Sequence, residues 1–133
     1  MPPRHIQAKT RIETLAELVA EQAVEVASLA LNVPAREIKS SSRLRARAAF
    51  ARQIAMYLAH VIGQATTVDL AVIFGRDRST VSHACAMIEE RRDSALFDRQ
   101  IEILERDMRG RVAFVMARYE RDALRAEMRR DGD

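Results

Sequence analysis

Gly75 constrains this chain more than any other residue. Before it, Leu70, Ile73 and Phe74 mark one apolar face of a helix only about two turns long. After it, Val81, Ala84, Cys85 and Ile88 repeat at the spacing of a second buried stripe, on a helix running from Arg78 to about Arg91. Only Gly75, Arg76 and Asp77 lie between, and glycine turns a chain sharply without steric cost. Two short helices joined by so tight a turn form a helix-turn-helix. Thr66 is placed to cap the first helix, with Asp69 three residues on. Asp77 is placed to accept from the free N–H groups of the second.

The remainder also reads as helix. An amphipathic pattern from Arg11 to Leu31 sets Ile12, Leu15, Val19, Val26 and Leu29 on one face and a row of glutamates on the other. Asn32-Val33-Pro34 ends it, because Pro34 disfavours helix at Val33. Residues 35–38 allow one short turn, and 39–43 read as a polar loop. A helix from about Leu44 to Ile62 carries a small-residue face of Ala48, Ala51, Ala55 and Ala59, and Gly63 suits the left-handed position after its end. A fifth helix spans roughly 94–109, Gly110 interrupts it, and a sixth follows from Arg111 to Arg130. With 48% hydrophobic and 5% aromatic residues, the expectation is an all-α bundle of about six helices containing one helix-turn-helix. Residues 1–10 read as a flexible leader, 11–109 as the helix-turn-helix domain and 110–133 as a C-terminal helical extension.

Charge points to a polyanion. Residues 36–92 carry ten basic and five acidic side chains, so this segment is +5 while the chain as a whole is +3. Once the buried stripe of the second helix is set aside, Arg78, Ser79, Ser82, His83 and Ala86 remain on its outer face. They are short or forked polar groups near the helix N-terminus, where major-groove readers touch base edges. Arg78, Ser79 and Ser82 are the candidate base contacts; Thr80 and His83 are candidate phosphate contacts. No cysteine or carboxylate completes a ligand set around His83, and no constellation supports catalysis, so neither a metal, a cofactor nor an enzymatic activity is expected. Cys85, the single cysteine, belongs to the apolar stripe. Glu89 to Arg92 read as an exposed helix end. Neither a signal-peptide core nor a bilayer-long apolar run is present, so the expected location is the cytoplasm, at the nucleoid.

Two segments together resemble a known family. Ala51-Arg52-Gln53-Ile54-Ala55-Met56-Tyr57-Leu58, followed by Phe74-Gly75-Arg76-Asp77-Arg78-Ser79-Thr80-Val81-Ser82-His83-Ala84, is similar to the C-terminal DNA-binding domain (domain IV) of the bacterial chromosomal replication initiator DnaA. The resemblance covers about residues 22–105. It implies binding of a short double-stranded element, the DnaA box, with the helix that opens at Arg78 in the major groove. It further implies that Arg52 reaches into the minor groove and that the basic loop with Arg43, Arg45 and Arg47 clasps phosphate. Arg78 stands where the family usually has histidine, and arginine favours guanine O6 and N7. No Gly-x-x-x-x-Gly-Lys-[Ser/Thr] motif occurs, so no nucleotide is expected to bind. The expected role is regulation of replication initiation. Alternatives are a transcription regulator using the same module and a protein-interaction adaptor with a vestigial DNA-binding fold. The apolar series of residues 111–130 suggests a homodimer.

Overall fold

A computed structural model describes residues 14–40 and 46–132, and every element among them is helical. The expected leader, and Arg11–Glu13 of the first expected helix, lie outside the described residues, as do Arg43 and Arg45. Six α-helices follow in order: α1 (Leu15–Leu31), α2 (Ala35–Lys39), α3 (Ala46–Tyr57), α4 (Thr67–Phe74), α5 (Arg78–Arg91) and α6 (Ala95–Gly132).

Thr14 starts α1 through a full capping box. Its hydroxyl accepts from Glu17 N at 3.2 Å while Glu17 Oε1 accepts from Thr14 N at 3.2 Å. Asn32 ends α1 in the left-handed conformation at φ 54°, which asparagine tolerates better than most residues. The buried stripe of α1 is Val19, Ala20, Ala23, Val24, Val26 and Ala27; Leu29, expected inside, is 67% exposed. α3 presents Ala48, Ala51 and Ala55, and Ala59 follows in the turn after it; all four are buried as expected, and α3 packs chiefly on α1 and α5. Small side chains on both α1 and α3 let their backbones come close, and Tyr57, Met56 and Leu58 fill the centre of the bundle.

The end of α3 departs from expectation. Leu58–Ile62 form a π-turn, with Gly63 N donating to Leu58 O at 3.0 Å. Gly63 itself is right-handed (φ −81°), and the left-handed residue is Gln64 at φ 61°. Glycine is needed at 63 for space: a Cβ there would lie 2.2 Å from Val19 Cγ1 and 2.6 Å from Ala59 O.

The expected break at Gly110 is absent. α6 runs unbroken for 38 residues, about 57 Å at 1.5 Å per residue. A glycine inside a helix costs about 1 kcal/mol relative to alanine, which neighbouring turns can carry. Ile101, Glu105, Met108 and Val115 face the body, and residues 117–132 are all exposed.

Candidate nucleic-acid interface

The helix-turn-helix forms as the sequence indicates. Thr66 Oγ1 accepts from Asp69 N at 3.0 Å and starts α4. Gly75 ends it at φ 63°, with Arg76 N donating to Ala71 O at 2.9 Å. A Cβ at Gly75 would meet nothing within 4 Å, so here the backbone angle alone requires glycine. Asp77 is the N-cap of α5, yet its carboxylate makes no capping bond; its carbonyl accepts from Thr80 N and Val81 N instead. No acidic residue occupies the first turn of α5. The positive end of the helix dipole therefore faces solvent without a side-chain cap, which suits an anion.

Val81, Ala84 and Ile88 pin α5 to the body at 0–2% exposure, and Cys85 is only partly buried. Burial pushes the Cys85 thiol up to about 11, helped by Glu89. Arg78, Ser79, Thr80, Ser82, His83 and Ala86 are all exposed. The six share the first two and a half turns of one helix, so side chains singled out from spacing stand together as one outward surface.

Arg52 does something other than expected. It is only 8% exposed and does not project from the surface. Its Nε donates to Ile38 O at 2.8 Å, and one terminal nitrogen donates to Ser40 O at 2.9 Å and to Glu37 O at 3.4 Å. The guanidinium thus satisfies main-chain carbonyls that α2 leaves open at its C-terminus. Burial, and then the charge of Arg76, lower its pKa. Arg76, expected only as a turn residue, also donates to Ser40 O, at 3.2 Å. The Ser40 carbonyl, just past the end of α2, is thereby held beside the turn of the helix-turn-helix. Arg47, at the start of α3, is exposed, as are Arg36 and Lys39 on α2.

The end of α5 is not simply exposed. The Arg91 guanidinium lies over Phe50 and Phe97, 4.6 and 4.5 Å from the ring centroids. Arg92 is half-buried: it donates to Asp98 at 2.6 Å, Glu105 at 2.9 Å and the Tyr57 hydroxyl at 2.7 Å. The Tyr57 proton sits between Glu89 at 3.1 Å and Glu105 at 3.2 Å. Burial alone would lower the Arg92 pKa, but the bonds to Asp98, Tyr57 and Glu105 outweigh it and raise it. For Tyr57, burial dominates and pushes the phenol up to about 12. This network ties α3, α5 and α6 together and was missed in the sequence, where its members lie up to 48 residues apart. Among the described residues no group of three His, Cys, Asp or Glu side chains could hold a metal, and no helix is long and apolar enough to cross a membrane.

Residues 20–88, more than half of the chain, match the model of the bacterial DnaA protein helix-turn-helix. The chain belongs to the bacterial DnaA helix-turn-helix family. Relatives include the chromosomal replication initiator protein DnaA 2 of Chlamydia trachomatis, 33% identical over 72% of this chain and 23% of the relative. DnaA of Thermoanaerobacter sp. is 32% identical over 79% of this chain and 23% of the relative. DnaA of Deinococcus deserti is 36% identical over 59% of this chain and 17% of the relative. A crystal structure of a DNA replication initiation factor superposes with a TM-score of 0.67 at 29% identity, over 80% of this chain and 32% of that one. The chain therefore spans about a quarter of the length of its DnaA relatives. What it shares with them is the DnaA helix-turn-helix and the helices that carry it.

Proposed function

We propose that this chain binds specific double-stranded DNA at DnaA-box-like sites and regulates initiation of chromosomal replication. One observation carries the reading. Arg78, Ser79, Ser82 and His83 share an exposed surface at the start of α5, while Val81, Ala84 and Ile88 of the same helix are held at 2% exposure or less. A helix so held can enter a major groove N-terminus first. Arg78, Ser79 and Ser82 read base edges; Thr80, His83, Arg47 and the loop arginines Arg43 and Arg45 clasp phosphates. Arg52, committed to carbonyl groups, positions that loop from within rather than probing a groove. Because the family's usual histidine is replaced by Arg78, the preferred site carries a guanine at the base this residue meets.

The test is selection of bound sequences from random duplexes, followed by titration at several salt concentrations. One enriched motif, related to the DnaA box but shifted toward guanine at one position, is the expected result. With about five to seven phosphate contacts, affinity falls with salt at a log–log slope of roughly −5 to −6. No enriched motif, together with a slope near zero, would remove the proposal. Genome-wide occupancy then decides the role: peaks clustered at an origin support replication control, and peaks confined to promoters overturn it.

A further inference from the structure

α6 has two apolar faces, and the fold uses only one. The core-facing residues Ile101, Met108 and Val115 recur every seven residues. Positions two further on lie roughly half a turn around the helix, on the side away from the body. On that outer side stand Leu96, Ile103, Phe114, Ala117, Leu124 and Met128, with Phe114 also bordering a groove against Leu18 and Gln22 of α1. Only from Phe114 on do the positions (114, 117, 121, 124 and 128) follow in steps of three and four, with Arg121 among them. The large apolar ones are 60–68% exposed. No repacking of α6 on its own body can cover both faces, because they point in opposite directions. A 3.5-residue apolar repeat on a long helix is the pattern of helix pairing.

The flanking charges say what pairs with it. In the projecting part, Glu120 and Glu127 follow one edge of the outer line, and Arg118 and Arg125 follow the other. When two copies of such a helix lie parallel, each acidic edge faces the other's basic edge, and Glu120 meets Arg125 of the second copy. Antiparallel copies would set acid against acid and base against base. We propose that α6 is a homodimerisation surface, pairing in parallel with α6 of a second copy through the line from Phe114 to Met128. Arg121 falls within the seam, where a charged residue fixes register at a cost in affinity, so the dimer is weak. This interface lies apart from α5, and the inference stands whether or not the chain binds DNA.

Sedimentation equilibrium of the full chain, from low to high micromolar concentration, tests it. The expected result is a reversible monomer–dimer equilibrium. Leu124→Glu should weaken it about thirtyfold or more, and Arg121→Leu should tighten it about tenfold. Glu120→Arg and Arg125→Glu should each weaken pairing, and the two together should restore it. Met128→Cys, in a Cys85→Ala background, should form a disulfide between the two copies on oxidation, which parallel helices permit. Positions 121, 124, 125 and 128 lie beyond the buried part of α6, so these variants should keep the parent's melting curve when monomeric. A chain that stays monomeric even as Arg121→Leu overturns the proposal, as does a dimer indifferent to Leu124→Glu. A double charge swap that fails to restore pairing overturns the parallel arrangement. Dimerisation that appears only after deletion of residues 1–13 would show the chain's own N-terminal segment covering this face, and would also overturn it.

Discussion

Arg52 and Arg76 donate to the same oxygen, the Ser40 carbonyl, from 2.9 and 3.2 Å. One comes from the long helix α3, the other from the turn of the helix-turn-helix. Two cations on one acceptor repel each other, and the carbonyls of Ile38 and Glu37 help hold the more buried of the two in place. The arrangement fixes the Ser40 carbonyl, at the end of α2, relative to the turn before α5.

Removing Arg52 should therefore be costly. Arg52→Met removes the guanidinium donor to the buried Ile38 carbonyl and weakens the bonding at Glu37 and Ser40, and equilibrium unfolding in urea should show a loss of about 1–3 kcal/mol. Arg52→Lys should recover only part, since a single ammonium cannot reproduce the fork. In a variant that still folds, affinity for random and selected duplexes should fall by similar factors. A changed base preference would instead return Arg52 to the role of groove reader.

Arg78 and Arg47 separate reading from clasping. Arg78→Ala should cost about 1–3 kcal/mol on the selected site and relax preference at one base position, with a much smaller effect on random DNA. Arg47→Ala should weaken both duplexes alike and flatten the salt slope by about one unit. Titrations of both duplexes at two salt concentrations distinguish the outcomes, and equal weakening of all sequences by Arg78→Ala would make Arg78 a phosphate contact.

Two glycines should respond differently to the same methyl group. At Gly63 the added Cβ collides with Val19 and the Ala59 carbonyl, so Gly63→Ala should cost about 1–3 kcal/mol through displaced packing. At Gly75 only the left-handed backbone resists, and Gly75→Ala should cost about 1–2 kcal/mol. Gln64→Gly should be neutral or stabilising, because Gln64 already bears a positive φ. Thermal melts of the three variants give the order.

Alkaline pH should destabilise the protein through two acids. The folded-state pKa of Tyr57 is about 12 against 10.0 unperturbed, and that of Cys85 about 11 against 9.0. Both are raised, so the folded state holds these protons more tightly than the unfolded chain does. The stability they contribute is complete below about pH 9 and is lost as pH rises from 9 to 12. Denaturation midpoints should fall across that window, less steeply in Tyr57→Phe and in Cys85→Ala. The Cys85 thiol should also resist alkylation at pH 8 until the chain is unfolded.

The helix-turn-helix was readable because each of its signals is local. Gly75 stops α4 through its own backbone angle, and Val81, Ala84 and Ile88 declare the buried side of α5 by spacing alone, which leaves Arg78, Ser79, Ser82 and His83 outside. What failed was non-local or quantitative. Arg52 reads as a surface cation until the carbonyls of α2 are brought to it by folding. Arg92 finds Tyr57 and Glu105 only once three helices meet. Gly110 carries the same helix-breaking mark as Gly75, but no positive φ is demanded there, so the helix passes through. By its place after a helix Gly63 suits a left-handed cap, whereas what requires glycine there is crowding from Val19, 44 residues away in sequence.

The anchoring of α5 bears on the thermodynamics of any complex it enters. Its buried stripe fixes one side, and Arg92 fixes its far end to α3 and α6. The backbone of α5 is thus already held in place in the free protein. Association then orders a few side chains such as Arg78 and Ser82, at about 0.5–1.5 kcal/mol for each rotamer-rich one, and leaves the reading helix itself unpenalised. Such preorganisation leaves the entropic penalty of binding concentrated in the few exposed side chains at the start of α5, so, if the proposed function holds, small changes at those positions should move selectivity more than they move the fold.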